Sequence, residues 1–292
     1  MDGVININKP LGITSHDVVY RLRKILSMKK IGHTGTLDPD ATGVLPMCIG
    51  RGTKISEFLM ADEKQYIAEI TFGIVTDTQD ISGKVLSRAD VNFTREEFEA
   101  FIGEFIGEIS QIPPMYSAIK KDGKKLYELA REGKVVEREA RTITVSGIEI
   151  LDFYGDKARI KVDCSKGTYI RTLCHDIGQK LGCGACMSAL TRTRSGSFFI
   201  ENSFSLEEVE EKAKSGDFGF LISIEDVFSD YEKIILAENN AKKIRNGIKT
   251  ATTLPDGVYC RIYDEKKNFL CIAVTDKGYF SILKTFFGEG QV

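Results

Sequence analysis

Asp38 is the carboxylate in this chain whose neighbours best equip it for chemistry. It stands between Leu37 and Pro39 in the run GHTGTLDPDATGVLP, residues 32–46, which also holds Gly35 and Gly43. Proline fixes one backbone angle and glycine permits turns that other residues resist, so such a loop can hold an acid rigidly, as a nucleophile or base requires. The competing reading is an Asx turn, in which the aspartate only satisfies amides of its own loop. Arg171, in GTYIRTL, falls in the first turn of an expected helix. The helix dipole mildly disfavours a cation there, so something else must select it. A planar guanidinium can hold a carboxylate bidentately, aiming it and keeping it ionised, which makes Asp38 a natural partner. A plain surface arginine is the alternative.

Other reactive groups are sparse. His16, His33 and His175 lack the spacing of a metal pair, and Cys183-Gly-Ala-Cys186 has no second pair beside it, so no metal site is expected. Gly50-Arg51-Gly52-Thr53-Lys54 has the wrong spacing for a phosphate-binding loop. Residues 112–134 interleave Lys120, Lys121, Lys124, Lys125, Arg131 and Lys134 with Tyr116 and Tyr127. Basic groups among aromatics suit a surface that tracks an RNA backbone and stacks on bases. An amphipathic helix with a wet face explains them nearly as well.

These side chains need elements to position them. Val4–Ile7 alternates as a strand, and Ser15 is placed to cap a helix carrying Val18, Val19, Leu22, Ile25 and Leu26 at helical spacing. Residues 32–46, rich in Gly, Pro, Thr and Asp, read as one shaped loop. A strand is expected over 65–72, and Thr94 with Glu97 forms a capping box before Phe98, Phe101 and Ile102. Residues 142–151 and 157–164 read as paired strands, 169–181 as a helix, and Ser205 with Glu208 as a second capping box. From Tyr231 onward, short apolar runs at 257–263, 270–274 and 279–283 indicate a small β-rich module.

At 292 residues, 42% hydrophobic and 28% charged, the chain has ordinary globular composition, and two domains are the prior. No apolar run reaches membrane-span length and no signal segment opens the chain, which points to a soluble, cytoplasmic protein. Seven scattered cysteines fit reduced thiols better than a disulfide framework. A net charge of -2 argues against a nucleic-acid partner when taken alone. The acid, however, is concentrated in residues 55–119 and 201–232, and the rest of the chain is net positive. A basic surface on one side is compatible with that distribution.

Eight segments, taken in order, resemble the bacterial tRNA pseudouridine-55 synthase (TruB) family: NKPLGITS, GHTGTLDPDATGVLP, GRGTK, KQY, TDTQDISG, IPPMYSAIKKDGKKLYELAREG, GTYIRTLCHDIG and LTRTRSG. They cover about the first two hundred residues. The resemblance implies an α+β catalytic domain over 1–229, with a mixed, mainly antiparallel sheet, flanking helices and an inserted RNA-gripping thumb near 115–140. It further implies a small PUA-like RNA-binding module over 230–292. By position, the family's catalytic aspartate falls on Asp38 and its active-site arginine on Arg171. Tyr66 matches the tyrosine that stacks on the target base, His33 a loop histidine associated with base flipping, Tyr169 a tyrosine lining the site, and Lys9 with Pro10 a supporting segment. Lys120, Lys121, Lys124, Lys125 and Arg131 fall in the thumb. Asp40 departs from many relatives, which carry an apolar residue after the proline, and so alters the charge around Asp38.

The activity implied is isomerisation of a T-arm uridine in tRNA by a monomer, with no net redox change and no cofactor; no metal is expected either, on the ligand spacing noted above. The base is flipped out, the N1–C1′ bond is broken, and C5 is joined to C1′. Asp38 either attacks C1′ or removes the 2′ proton, and Tyr66 or another base assists loss of the C5 proton. Three rivals remain open. One is a non-catalytic RNA-binding protein or chaperone of the same fold, one a sugar hydrolase using Asp38 and Asp40, and one an RNA-guided relative.

Overall fold

The computed structural model describes residues 1–60, 63–121 and 123–287. Asp122 of the expected thumb and the last five residues of the expected C-terminal module lie outside them. The strands of the large sheet are Gly3–Lys9 (β1), Ile31–His33 (β2), Ala41–Ile49 (β3), Lys64–Phe72 (β4), Gly107–Gln111 (β5), Arg141–Phe153 (β6), Lys157–Cys164 (β7) and Ala185–Ser195 (β8). Along the sheet they run β1-β3-β8-β4-β7-β6-β5, with β2 joined to β3 and the short strand Leu221–Ile222 outside β1. Every pairing is antiparallel except β3 with β8. The sheet is thus mixed and mainly antiparallel, as expected, with helices flanking it.

Helix α1 (Ser15–Ile25) buries Val18, Val19 and Leu22, spaced to share one face, against the sheet core. Its cap is Thr14 and not Ser15: the Thr14 hydroxyl accepts from the Asp17 amide while the Asp17 carboxylate accepts from the Thr14 amide. Helix α2 (Arg95–Ile102) opens on the expected Thr94–Glu97 box. Helix α3 (Ile170–Lys180) packs on β8, and α4 (Leu206–Lys214) is capped by Ser205 and Glu208.

The run 32–46 is a loop only over 34–40; the remainder belongs to β2 and β3. Glycine disguised the strand. Gly43 sits at φ +101°, and a Cβ there would collide with the Arg192 carbonyl of the neighbouring β8. The residue that looks like loop chemistry is what lets two central strands approach.

A second sheet follows, with strands Glu232–Leu236 (β9), Tyr259–Asp264 (β10), Phe269–Asp276 (β11) and Tyr279–Thr285 (β12) in sequential order. The three apolar runs form β10 to β12. Sequence reading missed the first strand, which pairs parallel to β10, and the crossover helix α5 (Glu238–Arg245). A buried ion pair between Arg245 and Asp264, at 2.6 Å, fastens that helix to β10. This sheet does not stand apart. Ile272 and Phe286 share one buried cluster with Val4, Val44, Cys48, Ile55 and Phe198 of the larger sheet region.

Candidate active site

The loop over 34–40 is pinned residue by residue. Buried Ser15 holds Leu37 from both sides: its hydroxyl accepts from the Leu37 amide at 2.8 Å and donates to the Leu37 carbonyl at 3.1 Å. The Pro39 carbonyl accepts from the Gly12 amide at 2.9 Å and from the Lys9 ammonium at 3.3 Å. The Gly35 carbonyl accepts from Arg192 at 3.4 Å, and the Thr34 amide donates to Pro46 at 3.1 Å. A backbone bond from Ala41 to the Asp38 carbonyl, 3.1 Å, closes the turn. The carboxylate of Asp38 is therefore free to face Arg171, 3.0 Å away, instead of capping its own loop as an Asx turn would.

Arg171 does not give both arms to Asp38, as a bidentate grip would require. One terminal nitrogen, Nη2, reaches Asp38 at 3.0 Å and donates to the Tyr116 carbonyl at 2.8 Å. The other, Nη1, reaches Asp80 at 3.3 Å and the Thr78 carbonyl at 3.2 Å. The guanidinium is 7% exposed, so four acceptors on two sides hold it nearly out of water. This explains an arginine in the first turn of α3, where the dipole does not favour one. Asp80 is itself fixed, because its Oδ1 accepts from the hydroxyls of Thr78 at 2.7 Å and Ser82 at 2.6 Å.

Asp38 keeps 44% of its side-chain surface open, yet its carboxyl lies above the ordinary carboxylate value. Burial is the main cause; Arg171 and Lys9 oppose it while Asp80 and Asp40 add to it. The expectation that Arg171 keeps this acid ionised is right in sign but outweighed by desolvation. Two consequences follow. Catalysis that needs the carboxylate should fade on acidification beginning at a higher pH than for an ordinary aspartate, which a single-turnover pH profile would reveal. Because the folded value exceeds the unfolded one, the charged form costs stability as pH rises through it. Asp38→Asn is therefore expected to be at least as stable as the parent near neutrality, with any gain vanishing below the ordinary carboxylate range, as read from urea unfolding at several pH values.

Tyr66, on β4, and Tyr169, just ahead of α3, both feel the Asp38 charge, and burial pushes both phenols up. The Tyr169 backbone is clamped by Gln111, whose amide donates to its carbonyl at 3.1 Å and accepts from its N–H at 2.8 Å. Lys9 is fully buried, and besides holding Pro39 it donates to the Pro10 carbonyl at 2.8 Å. His33 ends β2 half-buried; burial first, then Arg192 and His16, push its imidazole below the ordinary value, which favours the neutral form. Arg171 contacts Asp38, and Lys9, Tyr66 and Tyr169 lie near enough to feel its charge. The lysines of the expected thumb sit on elements of their own. Lys120–Lys121 and Lys124–Lys125 form a two-stranded ladder before the short helix Leu126–Arg131, so the segment is not one amphipathic helix. Lys125 and Arg131 both lie against the Tyr127 ring, each 5.4 Å from its centre. Among the described residues no group of three or more His, Cys, Asp or Glu side chains is gathered as a metal site would need.

Sequence reasoning missed Asp80, Ser15, Gln111 and Arg192. TDTQDISG carried a signal for Asp80, since Thr, Asp and Ser so closely spaced mark a side-chain-bonded turn. Arg192 had one too, being two residues from Leu190 and so on the inward register of a strand. Ser15→Ala should leave the Leu37 amide and carbonyl unpaired in the interior. The expected cost is about 1–3 kcal/mol of stability and on the order of tenfold in turnover from a loosened loop. Urea unfolding and single-turnover rates would show whether the clamp matters.

Residues 23–170 match the model of the TruB family pseudouridylate synthase N-terminal domain, and residues 171–227 that of the tRNA pseudouridylate synthase B C-terminal domain. The tRNA pseudouridine synthase B of Bacillus cytotoxicus is 47% identical over 284 residues, covering 94% of this chain and 92% of the relative. That of Clostridium novyi is 46% identical over 289 residues, covering 97% and 99%. Among solved structures, a Cbf5–Nop10–Gar1 complex superposes with a TM-score of 0.75 at 28% identity, over 98% of this chain and 85% of the matched one. An H/ACA RNP bound to a substrate RNA containing 2′-deoxyuridine gives 0.73 at 26% identity, with the same coverage.

Proposed function

The chain belongs to the TruB family of pseudouridylate synthases, and from that premise we propose that it isomerises uridine to pseudouridine at position 55, in the T-arm of tRNA. It is an isomerase acting on tRNA. It works as a cytoplasmic monomer whose reaction is redox-neutral and calls for no redox cofactor. The observation that carries the reading is the Asp38–Arg171 pair, 3.0 Å apart, at the tip of a loop fixed by Ser15, Gly12 and Lys9.

A uridine in a stem-loop must first be extruded, at a cost of a few kcal/mol. Tyr66 offers it a stacking face and His33 helps to hold the loop open. Tyr169 lines the site and Lys9 supports its floor. Breaking N1–C1′ puts positive charge on the ribose, and Asp38 stands ready to stabilise it, either by attack at C1′ or by taking the 2′ proton. Arg171 aims that carboxylate. Lys120, Lys121, Lys124, Lys125 and Arg131 grip phosphates along a thumb near 115–140, and the sheet within 230–292 adds a PUA-like RNA contact.

The test is release of tritium from C5-labelled uridine in unmodified tRNA and in a bare T-arm hairpin, with the product identified as mass-silent and carbodiimide-reactive. One tritium per RNA from both substrates is the expected result. Binding without release would make the chain a non-catalytic RNA-binding protein, and activity that needed a guide RNA would align it with the ribonucleoprotein relatives. Affinity for tRNA should also fall steeply between low and moderate salt, because phosphate contacts release counterions. A flat salt response would remove the basic grip.

A further inference from the structure

Arg192 is among the largest fully buried side chains of the protein and belongs to no ion pair among the described residues. Its position on β8 places it directly across from Tyr66 on one side and beside Gly43 on the other. It is 2% exposed, and its Nε donates to the Val44 carbonyl at 2.7 Å while Nη2 reaches the Gly35 carbonyl at 3.4 Å. It shares a sheet face with Tyr66 and lies near that phenol. Among the described residues only neutral acceptors solvate this cation, and an interior charge without a counter-ion is costly. If strength between strands were the whole purpose, an apolar side chain would serve better. A local rule broken in the core beside a catalytic loop is the signature of a working group.

The chemistry proposed above, on which this inference rests, supplies the missing anion. When N1–C1′ breaks, the bonding pair leaves with the uracil, whose ring carries negative charge over N1 and its carbonyl oxygens until C5 rejoins the sugar. No proton leaves the base in that step. We infer that Arg192 is a positioning residue for this intermediate, acting through Tyr66: facing that ring from across the strand pair and holding the Gly35 carbonyl, it sets the tyrosine and the catalytic loop in one frame. The ring is thereby held at the angle at which it stacks on the flipped base. A buried cation behind the stacked ring favours an anionic base over a neutral one, and the gain is greatest where water is excluded. Arg192 never touches the substrate; its influence runs from guanidinium to ring to uracil. It also draws the phenol toward ionisation, against the opposing effect of burial.

The experiment is a double-mutant cycle on the full chain with tRNA, using Arg192→Lys, Arg192→Gln and Tyr66→Leu. Single-turnover isomerisation, tRNA affinity and urea unfolding are all measured. Both Arg192 variants are expected to slow isomerisation on the order of 10²-fold, Lys less than Gln, with tRNA affinity within about threefold of the parent. In the Tyr66→Leu background, Arg192→Lys should cost no more than about threefold further, because the ring it acts through is already gone. The inference is overturned by folded Arg192 variants that turn over at the parental rate. It is equally overturned by losses that multiply in the double variant, which would mean that Arg192 acts independently of Tyr66. Should Arg192→Gln fail to fold, the Arg192→Lys cycle decides alone. A parent chain that leaves uridine unchanged would sink the proposed function itself, a result distinct from any outcome among the variants.

Discussion

Asp38→Asn is expected to slow isomerisation by at least about 10⁴-fold, which at 1.36 kcal/mol per decade removes about 5.4 kcal/mol of transition-state stabilisation. The amide has the same shape but neither charge nor basicity, so it can neither attack C1′ nor take a 2′ proton. Nothing in the loop's own support should change. Ser15, Gly12 and Lys9 hold backbone atoms of Leu37 and Pro39, and the turn is closed by the Asp38 carbonyl, none of which the substitution touches. Affinity for tRNA should stay within about tenfold, about 1.4 kcal/mol. Single-turnover rates and filter binding with the same RNA would separate the two effects. If fold and RNA affinity were lost together with activity, Asp38 would be a structural acid and the assignment would fail.

Arg171→Lys is expected to cost about 10²- to 10³-fold in turnover even though the charge is kept. The two terminal nitrogens serve different sides of the site: Nη2 serves Asp38 and the Tyr116 carbonyl, and Nη1 serves Asp80 and the Thr78 carbonyl. A single ammonium cannot be in both places. Whichever side it abandons keeps a partly buried carboxylate and a carbonyl without their donor, so a stability loss of about 1–3 kcal/mol should accompany the rate loss. Chemical denaturation and single-turnover kinetics would be compared with Asp80→Asn, which should reproduce part of the rate effect by freeing Nη1. A lysine variant with parental turnover would show that charge alone is enough.

Much of this could be read from residue types, and the remainder failed for identifiable reasons. Thr94 and Ser205 cap their helices as read, because a capping box is decided within four residues. The hairpin of β6 and β7 was equally legible from its alternation. Ser15 was misassigned because capping and clamping ask the same hydroxyl of a sequence; only the approach of Leu37, twenty-two positions on, selects the second. β3 was hidden by Gly43, whose glycine answers to a neighbouring strand and not to a turn. The split of Arg171 between two acids was invisible for the same reason, since Asp80 arrives on a hairpin far away in the chain. In each case local rules named the right residue types, and long-range contact decided how they are used.

The shared cluster of Val4, Val44, Ile272 and Phe286 bears on how the C-terminal module should be studied. Deleting everything after about residue 230 would bare the apolar backs of β1 and β3, the strands that flank and carry the Asp38 loop. It would also strip Arg51 and Lys54 of their acceptors on Phe286 and Thr285. A shortened enzyme that proved sluggish would thus say little about RNA grip. Point changes on the outer surface of β9 to β12 leave that shared wall standing, and so can ask what the tail holds without shaking what it braces.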